Sequence, residues 1–207
     1  MGLPLDWLIQ LVVIFIISFA SNVTPFVGAS YTLLGALNLS LFGFTPFGYL
    51  AVVLVTASGA TLAKVGIYYG SFGLRRFLLP NKNVRLIGRI AGQRSFYAGL
   101  FVAAVMPVFP FDDYLFIGAG ANSATLAPMT SVTFLAKLVK SSVEIPLEYS
   151  LLSTLTNTFG ITSTVTTIIT VIAFIGIGVV VYKVDWEATF ARFRRKPSAP
   201  GGSRGDA

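Results

Sequence analysis

The sequence predicts an all-α integral membrane protein with about four crossing helices and two re-entrant helical hairpins, inserted from opposite sides as an inverted repeat. Three observations predict it. Hydrophobic residues make up 55% of the 207 and charged residues 11%, with a mean hydropathy of +0.79, so too few polar side chains remain to clothe a soluble domain. Twelve of the fifteen Lys and Arg fall in the 75–94 loop and the 183–204 tail, the pattern of cytoplasmic flanks beside membrane spans. The segment Met106-Pro107-Val108-Phe109-Pro110-Phe111-Asp112-Asp113-Tyr114 sets two prolines and two acids inside sequence that otherwise reads as bilayer core. Helix-breaking backbone survives at membrane depth only where protein or water shields it, and ionisable residues there line a cavity or pathway.

The same composition excludes much. Cysteine and histidine are absent, which removes disulfides, Cys/His zinc sites, Ser-His-Asp triads and histidine proton switches. No metal or cofactor is expected. The net charge of +7 belongs to the membrane flanks and calls for no nucleic acid. No Lys or Arg precedes the first apolar run, which argues against a cleaved secretory signal.

Against the roughly 20 residues that cross a bilayer, the apolar runs are Trp7–Ala20, Val23–Phe44, Phe47–Tyr69, Ala98–Ala121, Thr133–Leu155 and Gly160–Tyr182. A cytoplasmic basic loop (71–97) and a cytoplasmic tail require an even number of crossings between them, yet three runs lie there. Ala98–Ala121 carries Pro107, Pro110, Asp112 and Asp113 at its middle and is the run least able to stay helical, so it is read as re-entrant. The first half holds a weaker copy. Thr24-Pro25-Phe26-Val27-Gly28-Ala29-Ser30-Tyr31 leads to Gly35 as the second segment leads to Gly118, and spans opening Tyr49-Leu50-Ala51 and Phe134-Leu135-Ala136 follow. The division is therefore a membrane helix over 1–20, a core over 21–155 with repeats 21–70 and 98–155 joined by the basic loop, a membrane helix over 156–182, and a basic, disordered tail over 183–207. Inverted repeats of this kind place substrate sites near the midplane, where broken segments of the two halves meet.

The charged residues inside the runs are Lys64, Asp112, Asp113, Lys137, Lys140, Glu144 and Glu148. Positions 137, 140, 144 and 148 recur every three or four residues, so they share one helix face that must look toward protein or water. Pro146 is expected to interrupt that helix and free a backbone carbonyl at the depth of the acids. Asp112, Asp113, Lys137, Lys140 and Glu144 are accordingly taken as the substrate or proton pathway, with Lys140 pairing Glu144 and either Lys137 or Lys140 neutralising the aspartates. Plainer roles stand beside these: the aspartates as hairpin-turn caps, Lys137 and Lys64 snorkelling to the interface, and Glu148 approaching the outer surface. Pro25, Gly28, Pro107, Pro110, Gly118 and Gly120 are the hairpin-forming residues, the prolines stopping helices and the glycines permitting close packing. Within the loop, Asn83–Ile90 places apolar residues at helical spacing between arginines, as an interfacial amphipathic helix does. Arg75, Arg76, Arg85, Arg89 and Arg94 there form an interface for anionic lipid head groups.

A proline-rich segment near the N-terminus, the Gly/Tyr-rich helix end Gly66-Ile67-Tyr68-Tyr69-Gly70-Ser71-Phe72-Gly73, the basic loop and the Pro-Val-Phe-Pro segment with its small-residue sequel resemble the DedA or VTT-domain membrane proteins over about residues 20 to 155. The resemblance implies oppositely inserted re-entrant hairpins and the scrambling or flipping of lipids, polyprenyl phosphate carriers included, with proton coupling in some form. The chain departs from the family where Ser21 and Ala29 replace glutamates flanking the first proline cluster and Ala104 replaces an arginine, which sets it on a divergent, archaeal-type branch and calls coupling through the usual acids into question. The expected function is a multi-pass transporter in the cell membrane that moves lipid head groups through a polar seam. Rivals are a proton- or sodium-coupled exporter of small amphiphiles and a non-transporting scaffold; membrane lipids are the expected partners, and a homodimer is compatible with the sequence. An enzyme is not expected, since an aspartyl dyad needs carboxylates from separate segments.

Overall fold

A computed structural model describes residues 5–23, 31–106, 111–159 and the single position 165. Among them there are helices and short links, and no strand. In chain order the helices are α1 (Leu5–Val23), α2 (Tyr31–Phe42), α3 (Pro46–Gly73), α4 (Arg75–Leu78), α5 (Lys82–Ile90), α6 (Arg94–Val105), α7 (Phe111–Ala121) and α8 (Leu126–Phe159). The expected membrane helix over 156–182 lies largely outside the described residues, as does the tail.

Local chemistry sets the boundaries. Gly43 follows α2 with φ of +88°, a left-handed conformation that stops a helix at little cost for glycine. Two residues later Thr45 caps α3, its hydroxyl accepting from the Gly48 amide at 3.0 Å, and Pro46 opens the helix where its missing N–H costs nothing. Asn81 caps α5 in the same way, accepting from the Asn83 amide at 2.8 Å, and Gly92 turns the chain with φ of +97° before α6 begins. The run Ala98–Ala121 is divided as its prolines foretell, into α6 and α7 on either side of 107–110.

Among the described residues two helices are long and apolar enough to cross a membrane, α1 and α3. The 34-residue α8 is longer, but Lys137, Lys140, Glu144 and Glu148 keep it from reading as an apolar span. Pro146 sits inside α8 without ending it, contrary to the expected interruption. The outward faces are greasy: Leu135, Val139, Val143, Leu147 and Leu151 form an exposed i,i+4 stripe on α8, and Leu50, Leu54 and Leu62 stand exposed on α3.

The halves interlock. α1 packs along α3 and α6 along α8, whereas α2 packs chiefly on α8 and α7 on α3, so each half lends its short helix to the long helix of the other. In this contact pattern α1 stands to α3 as α6 stands to α8. One apolar cluster joins Ile14, Leu33, Val52 and Val53 to Ile145 and Leu152; the other joins Ile67, Tyr68, Phe96 and Phe116 to Met129. The early part of α3 thus meets the late part of α8 and the reverse, which makes the two long helices antiparallel. Between the clusters both helices turn small and polar. Thr56, Thr61 and Lys64 on α3 and Thr133, Lys137 and Ser141 on α8 are all buried, and the Thr56 and Ser141 hydroxyls lie 3.4 Å apart. Alanines 57, 60 and 63 keep this stretch of α3 slim enough for its neighbours to approach.

Candidate functional site

The polar layer between the two apolar clusters contains an ionic group drawn from three helices. Asp112 and Asp113 open α7, where the helix dipole favours negative charge. Asp112 Oδ2 lies 2.9 Å from Lys137 Nζ of α8 and 3.4 Å from Lys64 Nζ of α3, and Lys64 also pairs with Asp113. Each of these side chains is 3–4% exposed, and two positive charges meet two negative ones. Burying such ions costs several kcal/mol apiece unless each finds its countercharge, and here each does. Glycine makes the approach possible. A Cβ at Gly120 would run into the Tyr68 carbonyl of α3, so α7 touches α3 backbone to backbone about two turns beyond its acids, which keeps α7 close to the helix that carries Lys64.

Two sequence expectations change here. Lys137 is buried and paired with Asp112, not snorkelling to an interface. Lys64, read as a snorkelling residue, is the lysine that holds both aspartates; α3 continues to Gly73, which sets Lys64 more than two turns inside the helix.

A second, less buried group sits one turn further along α8. Lys140 Nζ lies 3.8 Å from Glu144 Oε1, 3.5 Å from the Met106 carbonyl that ends α6, and 5.9 Å from the centre of the Tyr31 ring that begins α2. Met106 directly precedes 107–110 and Tyr31 directly follows 24–30 in sequence, so one flanking residue of each proline-bearing segment lies at this lysine. Its contacts are long, and its side chain retains 13% exposure against 25% for Glu144. The Thr32 hydroxyl, buried beneath, lies 3.2 Å from Glu144 and 3.0 Å from Glu148, so its one proton serves either carboxylate. Glu148, expected to approach the surface, therefore joins the group. The Tyr31 hydroxyl is buried against Ser141 without a well-formed hydrogen bond, close to Glu144 and Asp112.

The carbonyl freed by Pro146 is that of Ser142, four residues back. The Tyr49 hydroxyl of α3 donates to it at 2.8 Å. The expected open acceptor at the depth of the acids is thus already occupied, and the proline carries an inter-helix bond in place of an intra-helix one.

In the basic loop, Val84 of α5 is buried and Ile87 and Ile90 pack against the second apolar cluster, so part of the apolar side of α5 faces α7 while Leu86 stays exposed. Gly118 permits this contact, since a Cβ there would stand 2.6 Å from Ile87, and Asn122 fastens it by donating to the Val84 carbonyl at 2.8 Å and to Gly118 at 2.7 Å. Arg75, Arg76, Arg85, Arg89 and Arg94 are all exposed. Pro25, Gly28, Pro107 and Pro110 lie outside the described residues. Among the described residues no group of three or more acids is placed to hold a metal ion.

Comparison with family models, with curated proteins and with solved structures finds no match. The function has to be read from the geometry. A closed, charge-compensated group lies beside a more open one that gathers an ammonium, two carboxylates, a hydroxyl and an aromatic ring, with the ammonium 3.8 Å from its nearer carboxylate. The first suits holding helices together; the second can take up an ion or a polar head group.

Proposed function

We propose that the chain is a multi-pass membrane transporter that passes lipid head groups between leaflets along the polar face of α8, and that it is a divergent member of the DedA or VTT-domain proteins. The observation that carries this reading is the position of Lys140, where the ends of α6 and α2 converge on a partly open ammonium beside Glu144. Buried charges with exposed leucines and valines invert the pattern of a water-soluble bundle, which supports a lipid surround in addition to the two apolar spans. In that setting the segments 24–30 and 107–110 are the tips of two oppositely inserted re-entrant hairpins. About four helices cross, with the basic loop and tail in the cytoplasm.

Lys140 attracts the phosphate of a phospholipid or polyprenyl phosphate, Glu144 releases the lysine as the phosphate arrives, and the Thr32 hydroxyl holds Glu144 meanwhile. The acyl or prenyl chain stays outside, against the leucine stripe. Fluorescent-lipid translocation in liposomes containing the purified chain tests the proposal. Rapid movement of a phospholipid or a short polyprenyl phosphate is the expected result, and a folded protein that moves neither contradicts it.

One observation favours a second reading for part of the site. The Lys64, Asp112, Asp113 and Lys137 group is fully buried and compensated, as a structural clamp would be. The aspartates and Lys137 are therefore assigned to holding α7 between α3 and α8, and transport to Lys140 and Glu144.

A further inference from the structure

We infer that the end of α3 carries a binding site for an anionic phospholipid, separate from the polar face of α8. An apolar cleft of about 310 Å³ opens there, walled by Val23 of α1, Gly66 and Gly70 of α3, Leu74 and Leu78 around α4, and Ile117 of α7. This volume is at the lower end of the range for ligand pockets. Glycine creates it. Gly66 and Gly70 are one turn apart on one face of α3, and a Cβ at Gly70 would meet nothing within 4 Å.

The depth of the cleft follows from helix length. At 28 residues α3 spans about 42 Å, more than the roughly 30 Å hydrocarbon core, so an end of it stands at head-group level. The residues at this end fit that level: Tyr69, Phe72, Leu74 and Phe77 are exposed, and the Arg75 guanidinium lies 5.4 Å from the centre of the Phe72 ring. The charge is of one sign. Arg75 and Arg76 lie between the cleft-lining Leu74 and Leu78, four further Lys or Arg follow by residue 94, and no Asp or Glu occurs between residues 7 and 111. A lipid whose acyl chain enters the cleft brings its phosphate to Arg75 and Arg76, and a net negative head group is the one this field selects.

The inference rests on α3 lying in a membrane and not on transport, so a chain that moves no lipid would still bind here. The test follows the Tm of the full-length protein in detergent as phosphatidylglycerol, phosphatidylcholine of the same acyl chains, or glycerol phosphate is added. Phosphatidylglycerol is expected to raise Tm by several degrees and the other two to leave it unchanged, because a ligand of the folded state stabilises by mass action. Gly70→Leu, which fills the cleft with a better helix former, and Arg75→Gln/Arg76→Gln are each expected to abolish the shift. Gly99→Leu, at another open glycine on α6, is expected to retain it. An equal shift with phosphatidylcholine, a shift with glycerol phosphate alone, or a full shift in Gly70→Leu or in Arg75→Gln/Arg76→Gln would overturn the assignment.

Discussion

The Tyr49 hydroxyl donates at 2.8 Å to the Ser142 carbonyl, which is the carbonyl left without its helical N–H by Pro146. A proline defect in one long helix is thereby satisfied by a side chain of the other.

Tyr49→Phe is expected to lower stability by about 1 kcal/mol, the usual net worth of a hydrogen bond, with more lost if the carbonyl stays dry. In a Pro146→Ala background the amide of residue 146 takes the carbonyl back, and Tyr49→Phe should then cost almost nothing. Denaturant melts of the four proteins form a double-mutant cycle that measures this coupling. Equal costs in both backgrounds would contradict the assignment.

Removing one member of the buried ionic group leaves an uncompensated charge. Lys137→Met is expected to destabilise by roughly 3–5 kcal/mol, and adding Asp112→Asn should recover much of that loss. For Lys64→Met the matching rescue is Asp113→Asn, since Asp113 pairs with Lys64 while Asp112 keeps Lys137. Melting temperatures of the single and double variants check it; a double variant no better than the worse single one would refute the pairing.

The polar face of α8 was legible in the sequence, because spacing alone puts 137, 140, 144 and 148 on one side of a helix. The break of the 98–121 run was legible for the same kind of reason, since proline acts locally. The partners of those residues were not. Lys64 meets Asp112 and Asp113 across 48 and 49 positions of chain, a contact set by the packing of α7 on α3 that no local spacing records. Tyr49 carried no mark in the sequence beyond its place at the start of a span, and only the antiparallel crossing of α3 and α8 brings it to Ser142. Thr32 was overlooked because a hydroxyl in an apolar run reads as filler until two carboxylates stand beside it.

Gly118→Ala is expected to loosen α5 from α7, since the added Cβ would stand 2.6 Å from Ile87. Ile87→Ala alone should cost less, and the pair should be closer to the parent than Gly118→Ala is. Hydrogen exchange of the α5 amides provides the readout, with faster exchange expected in Gly118→Ala only. Unchanged exchange would mean that α5 does not depend on this glycine.

Thr32→Val removes the hydroxyl shared by Glu144 and Glu148 while keeping its volume. Translocation is expected to fall by about tenfold with little change in melting temperature, because the two carboxylates lose a donor on the open side of the site. A large loss of stability with unaltered translocation per folded molecule would instead assign Thr32 to packing.

The most direct test is lipid translocation in liposomes by Lys140→Ala/Glu144→Gln beside Lys137→Met/Asp112→Asn, each normalised to folded protein. The first pair is expected to abolish movement of the labelled lipid, while the second, which removes one charge of each sign from the buried clamp, is expected to retain most of it. Full movement in the first pair together with loss in the second would contradict the division of the site into an open carrier and a closed clamp.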